Sequence, residues 1–114
     1  LSADSGVSPF CYYGQFSRLA GADAAIFTSF GGRFPFTEEV CRKICDGTET
    51  EMGGLRSIFP VPSGGMKWQL FKKMVQVYGP DAIFLVGGAL LTESDDLTAN
   101  MHFYFEKLNE AVNK

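Results

Sequence analysis

Two glycine pairs, each closing an apolar stretch of the kind that forms a buried strand, constrain this chain most. Ser63-Gly64-Gly65 follows Leu55-Arg56-Ser57-Ile58-Phe59-Pro60-Val61-Pro62, and Gly87-Gly88 follows Asp81-Ala82-Ile83-Phe84-Leu85-Val86. Short continuous apolar runs are the pattern of strands covered on both faces, and helical spacing follows each pair. Glycine lets backbone N–H groups approach an anion closely, and a helix start adds partial positive charge. Each pair therefore reads either as a phosphate-holding turn or as a plain tight strand-to-helix connection.

The flanking segments extend this alternation. Ser8-Pro9 opens a helix with a hydroxyl cap and a proline suited to the first helical position. Phe10, Tyr13, Phe16 and Leu19-Ala20 continue it at helical spacing, and Gly21 ends it. Ala24 to Phe27 reads as a strand, Phe30 to Arg33 as a turn, and Thr37 as the cap of a helix with Glu38-Glu39 in its first turn. Val40, Cys41, Ile44 and Cys45 give that helix its apolar stripe, and Asp46 to Gly54 reads as a polar connection. Leu55 to Val61 is the next predicted strand. Met66, Leu70, Met74 and Val77-Tyr78 define a helix stopped by Gly79-Pro80, and Ala82 to Val86 forms a third strand. Ser94 or Thr92 caps a last helix whose buried side reads Leu97, Met101, Tyr104-Phe105, Leu108 and Val112.

The order α-β-α-β-α-β-α specifies an α/β fold with parallel strands and right-handed crossovers. Three apolar strands alone would leave two exposed edges. The same elements fit as strands six to eight, with their helices, of a (β/α)8 barrel, where adjacent late loops commonly hold phosphate. A length of 114 residues sets one segment, 1–114, as the ceiling, and the first residue is Leu1, so the chain reads as a piece of something longer, its first nine residues like the tail of a loop.

Charge and cysteine usage narrow the partners. A net charge of −3 argues against nucleic acid, since Lys67 with Lys72-Lys73 is the densest basic stretch and reads as a solvated helix face. No apolar run approaches the roughly 20 residues of a membrane span, and no signal-peptide pattern appears. Cys11, Cys41 and Cys45 are an odd set for a disulfide framework. Cys41 and Cys45 could present two thiolates on one helix face, but too few ligands accompany them, so they read as small core hydrophobes in a reducing, cytoplasmic setting.

Four blocks together resemble the C-terminal part of RuBisCO-like proteins, relatives of the ribulose-bisphosphate carboxylase large subunit. They are Arg18-Leu19-Ala20-Gly21-Ala22-Asp23, Phe30-Gly31-Gly32-Arg33-Phe34, Pro60-Val61-Pro62-Ser63-Gly64-Gly65-Met66, and Tyr78-Gly79-Pro80-Asp81 leading to Val86-Gly87-Gly88. The resemblance implies that Ser63, Gly64, Gly65, Gly87 and Gly88 hold one phosphate of a sugar-phosphate substrate. In carboxylases the loop after strand six carries a mobile lysine; the corresponding Ser29 to Phe34 has none. Arg33 is left as a possible substrate clamp, or as a surface ion-pair partner of Glu38 or Glu39. Histidines expected of a carboxylase in the strand-six segment are replaced by Ala24-Ala25-Ile26-Phe27, and the lone His102 reads as a surface or packing residue.

The resemblance also implies Mg2+ held by a carbamylated lysine and acidic residues that lie outside this segment. Asp95-Asp96 reads as a helix start and Glu49-Thr50-Glu51 as a solvated loop. The expected whole is a magnesium-dependent, homodimeric or larger enzyme acting on a phosphorylated keto-sugar or its thio-analogue through an enediolate. Its outcome would be enolisation, isomerisation or decarboxylation rather than CO2 fixation, and its catalytic residues lie elsewhere. The alternative is a non-catalytic phosphate-binding or assembly βα fragment.

Overall fold

The computed structural model describes residues 6–33 and 36–113; the first five of the nine residues expected as a loop tail, and Phe34, lie outside them. Helix α1 winds as a wide π-helix over Phe10–Gln15 and continues as α-helix over Phe16–Leu19. Strand β1 (Ala24–Thr28), helix α2 (Glu38–Glu49) and strand β2 (Phe59–Ser63) follow. A 3-10 turn at Trp68–Leu70 leads into α3 (Phe71–Tyr78), and the chain ends in α4 (Gly88–Leu91) and α5 (Leu97–Val112).

Strands β1 and β2 are parallel, with Ala24 opposite Phe59 and Thr28 opposite Ser63. The third predicted strand is present only as an extended segment, bridged at Leu85 to Ser63. Proline explains the difference. In a parallel ladder alternate residues turn both backbone groups to the same neighbour. Here Phe59 and Ser63 face β1, so Pro60 and Pro62 face the third segment. Their carbonyls accept from Ile83 N–H (3.0 Å) and Leu85 N–H (3.1 Å), but proline has no N–H to return. Half of that ladder cannot form.

Two further boundaries differ from expectation for one reason, Arg18. This residue is 4% exposed and joins no ion pair among the described residues. Its guanidinium donates to the carbonyls of Gly47 (3.2 Å), Thr50 (2.5 Å), Leu55 (2.8 Å) and Arg56 (3.1 Å). Helix α2 therefore runs through Glu49 rather than ending at Cys45, with its negative end against a buried cation. Leu55 and Arg56 are drawn into this cluster, so β2 starts at Phe59 and not at Leu55. Close packing fixes the same corner. A side chain on Gly14 would put its Cβ 2.6 Å from Gly47 Cα, so α1 and α2 cross backbone to backbone.

The caps follow the sequence closely at two ends. Ser8 Oγ accepts from Cys11 N–H (3.2 Å) and Thr37 Oγ1 from Val40 N–H (3.2 Å). At α5 the cap is Asp96, accepting from Ala99 N–H at 3.0 Å, rather than Ser94 or Thr92. Ser94 instead donates to Asn100, whose amide holds the carbonyls of Leu90 and Ser94 at 2.8 and 3.0 Å.

Helices α2, α3 and α5 all contribute to one core on one side of the sheet. Phe27, at 2% exposure, packs there edge-on to Tyr78 with ring centroids 5.7 Å apart, together with Ile44, Phe71 and Met74. The other side is bare. Ile26 is 60% exposed, and Phe59, Ile83 and Leu85 are each about half exposed along the same face. Helix α5 likewise buries Asn100 and Tyr104 but leaves Leu97, Met101, Phe105 and Val112 in the open, contrary to the expected buried stripe. The bare sheet face is the side that a closed barrel turns inwards.

Removing the Arg18 side chain takes the donor from four carbonyls, that of Gly47 buried and those of Thr50, Leu55 and Arg56 half-buried. Arg18→Met is expected to cost about 3 kcal/mol, and Arg18→Lys to recover little because one ammonium cannot span them; denaturant midpoints of the purified protein measure both. The core thiols set a second expectation. Burial, assisted by the neighbouring charges of Cys41, Glu49 and Asp46, pushes Cys45 from 9.0 up to about 12, and burial also raises Cys41 and Tyr78. A raised folded pKa means that the native state keeps protons the unfolded chain has lost. Stability should hold below pH 9 and fall progressively towards pH 12, as a midpoint-against-pH series will show.

Candidate functional site

The C-terminal tips of β1, β2 and the third segment lie side by side. Ser29 N–H donates to Ser63 O (2.8 Å) and Ser63 Oγ to Phe27 O (3.0 Å), which ties the first two tips together. Each tip then turns through glycine. Gly31, Gly64 and Gly65 adopt φ of +82°, +78° and +63°, which a side chain would strain. The first two loops also touch: a Cβ on Gly65 would lie 2.6 Å from Gly32 Cα.

The three tips enclose a cleft of about 680 Å³ whose lining includes Arg33, Ser63, Gly64, Gly65, Gly87 and Gly88. All six residues singled out from sequence are thus brought together. Among the described residues, nothing accepts from the N–H groups of Gly64, Gly65, Gly87 or Gly88. Ser63 differs, because its hydroxyl proton is committed to Phe27; it shapes the turn and offers the cleft only lone pairs.

The two readings of Arg33 separate here. Glu38 pairs with Arg42 (3.2 Å) and Lys73 (3.4 Å), and Glu39 with Lys43 (3.4 Å). Arg33 joins no ion pair among the described residues and stays on the cleft. Lys67 lines the cleft as well, although its spacing had suggested a solvated helix face with Lys72-Lys73. The helix begins later than expected, at Trp68–Leu70, which leaves Lys67 on the turn itself. Its position just beyond Ser63-Gly64-Gly65 was the available signal.

The helical part of the glycine reading needs correction. Neither pair leads straight into a long helix: α3 starts at Phe71, and α4 is a single turn of four residues. Anion attraction in the cleft therefore rests on free amides and side-chain charge, with little from helix dipoles.

No Asp, Glu, His or Cys lines the cleft, and no cluster of three such residues able to hold a metal occurs among the described residues. Hard divalent cations need oxygen ligands, so this cleft does not fit Mg2+. Cys41 and Cys45 lie in the core, His102 is exposed on α5, Asp96 is a cap, and Glu49 closes α2 rather than lying in a loop. No helix among the described residues is long and apolar enough to cross a membrane.

No protein-family model matches the chain. It is 41% identical over 98 residues to a 5-methylthioribulose-1-phosphate isomerase of Rhodospirillum rubrum, covering 86% of this chain and 26% of that protein. A ribulose bisphosphate carboxylase-like protein of Rhodopseudomonas palustris is 38% identical over the same share of the chain and 27% of its own length. A solved RuBisCO-like protein from Alicyclobacillus acidocaldarius superposes with a TM-score of 0.82 at 26% identity, covering 94% of this chain and 27% of that one. The chain spans about a quarter of the length of these relatives. With the matching blocks, the parallel strands and a sheet face left open for the rest of a (β/α)8 barrel, it belongs to the RuBisCO-like proteins as a partial segment of that barrel.

Proposed function

We infer that this chain supplies the phosphate-holding loops of a RuBisCO-like enzyme that acts on a phosphorylated keto-sugar or a close analogue. One observation carries the reading: among the described residues, adjacent strand tips present amides without acceptors beside Arg33 and Lys67, in a cleft lined by no carboxylate. The names of the relatives support it. One is an isomerase of 5-methylthioribulose-1-phosphate, and another, 30% identical in Shouchella clausii, a putative enolase of 2,3-diketo-5-methylthiopentyl-1-phosphate. The carbon skeletons differ in oxidation, but both carry a 1-phosphate. A segment shared between such enzymes is best suited to the shared group.

The chain's own part is binding and orientation. N–H donors and a guanidinium form short, charge-assisted hydrogen bonds to phosphate oxygens. Holding the non-reacting phosphate places the carbonyl end at a fixed distance, so binding energy is used to orient the reacting carbons. Proton abstraction beside the carbonyl, and the magnesium ion that the family resemblance implies, need groups this segment does not hold; they belong to the remainder of a full-length, dimeric or larger enzyme. Enolase, isomerase or decarboxylase chemistry suits the site better than CO2 fixation, because the β1 loop has no lysine in 29–33 and the strand facing the barrel interior shows Ile26 rather than histidine. A reducing, cytoplasmic setting suits free Cys11, Cys41 and Cys45.

Gly88 offers the cleanest test, since a Cβ there meets nothing within 4 Å and the fold should tolerate it. Gly88→Val in the protein that carries this chain should raise the Kd of a sugar 1-phosphate more than about tenfold, the loss of one or two charged hydrogen bonds. Binding of the dephosphorylated sugar should not change. Equal loss for both ligands, or none for either, in isothermal calorimetry would overturn the reading. Gly65→Ala should behave differently. Strain at φ +63° and the contact with Gly32 should cost stability, about 2 kcal/mol or more, visible as a lower thermal midpoint.

A further inference from the structure

We propose that Lys67 is a separate anion contact on this cleft and gives it a preference for dianionic over monoanionic ligands. The proposal rests on the phosphate reading above and adds a residue that the family motif does not include. Lys67 N–H donates to Gly65 O at 2.8 Å, so the residue is carried on the same turn that presents the Gly64 and Gly65 amides. Lys43, Lys73 and Lys107 are each paired with a glutamate, whereas Lys67 makes no ion pair or side-chain hydrogen bond among the described residues.

The charge of this cleft is uncompensated within its own lining. Of the two clefts at the N-terminal ends of the strands, one is lined by Glu49 and Asp81 and the other by Asp23 with Arg18 and Arg56, whereas the cleft at the C-terminal ends has Arg33 and Lys67 and no carboxylate. In a chain of net charge −3, a cationic lining of this kind attracts anions. Arg33 and Lys67 come from different loops and act differently. A guanidinium matches the shape of an oxyanion through a planar fork, while an ammonium is a compact point charge whose attraction scales with the charge it meets. Lys67 should therefore count for more as the ligand gains its second negative charge.

Inorganic phosphate is the probe, titrated by calorimetry into the protein that carries this chain, above and below the second ionisation of phosphate. Lys67→Met should weaken the dianion about five- to tenfold, flatten the dependence on salt, and leave the monoanion nearly unchanged. Lys67→Arg should restore most of the dianion affinity. Equal weakening of both forms would mark a merely structural role and overturn the proposal, as would wild-type behaviour of Lys67→Met. Gly88→Val separates the two ideas. Loss of phosphate in Gly88→Val with a normal Lys67→Met removes Lys67 alone; phosphate bound normally by Gly88→Val removes the amide reading, and the ionisation profile of Lys67→Met then decides Lys67 on its own.

Discussion

A buried arginine held by backbone carbonyls organises this segment. Arg18 is neutralised by carbonyl dipoles, two from the end of α2 and two from the loop that follows. A charge removed from water is tolerable only with such dense hydrogen bonding. The arrangement decides where α2 stops, how 52–58 folds back, and at which residue β2 enters the sheet. Because β2 enters at Phe59, it ends at Ser63, level with Thr28 of β1. The glycine turns consequently share one edge.

The sheet itself is asymmetric in two senses. One face is packed by helices through Phe27, Phe71 and Tyr78, and the opposite face carries bare isoleucine, leucine and phenylalanine. Along its width, the β1–β2 ladder is complete while the next is halved by Pro60 and Pro62. Neither property suits a self-sufficient domain, since exposed apolar faces and open edges invite association. The bare face is ordinary in a piece of a closed barrel, in keeping with a match to about a quarter of each relative, whereas the halved ladder comes from the prolines themselves.

Much of this was legible in the residues. Alternating apolar runs and caps located the elements, and the glycine pairs marked the edge where Arg33, Ser63, Gly64, Gly65, Gly87 and Gly88 meet. What escaped depended on contacts distant in sequence. Leu55 looks like strand, yet its carbonyl is taken by Arg18, 37 residues earlier. The α5 stripe was read as buried because periodicity reports an apolar face and says nothing about whether its cover belongs to the same chain. The prolines in β2 were visible but weigh on pairing only once the facing of each residue is known. Lys67 falls inside the expected helix from Met66, whereas the helical turn starts only at Trp68, and boundaries are where local signals are weakest.

The close approach of Gly32 to Gly65 bears on which residues the two loops can accept. A Cβ on Gly65 would lie 2.6 Å from Gly32 Cα and one on Gly32 3.2 Å from Gly64 O, so neither backbone admits a larger residue there unless the other gives way. Arg33 follows Gly32 directly, so the spacing of these two backbones sets where its side chain starts on the cleft.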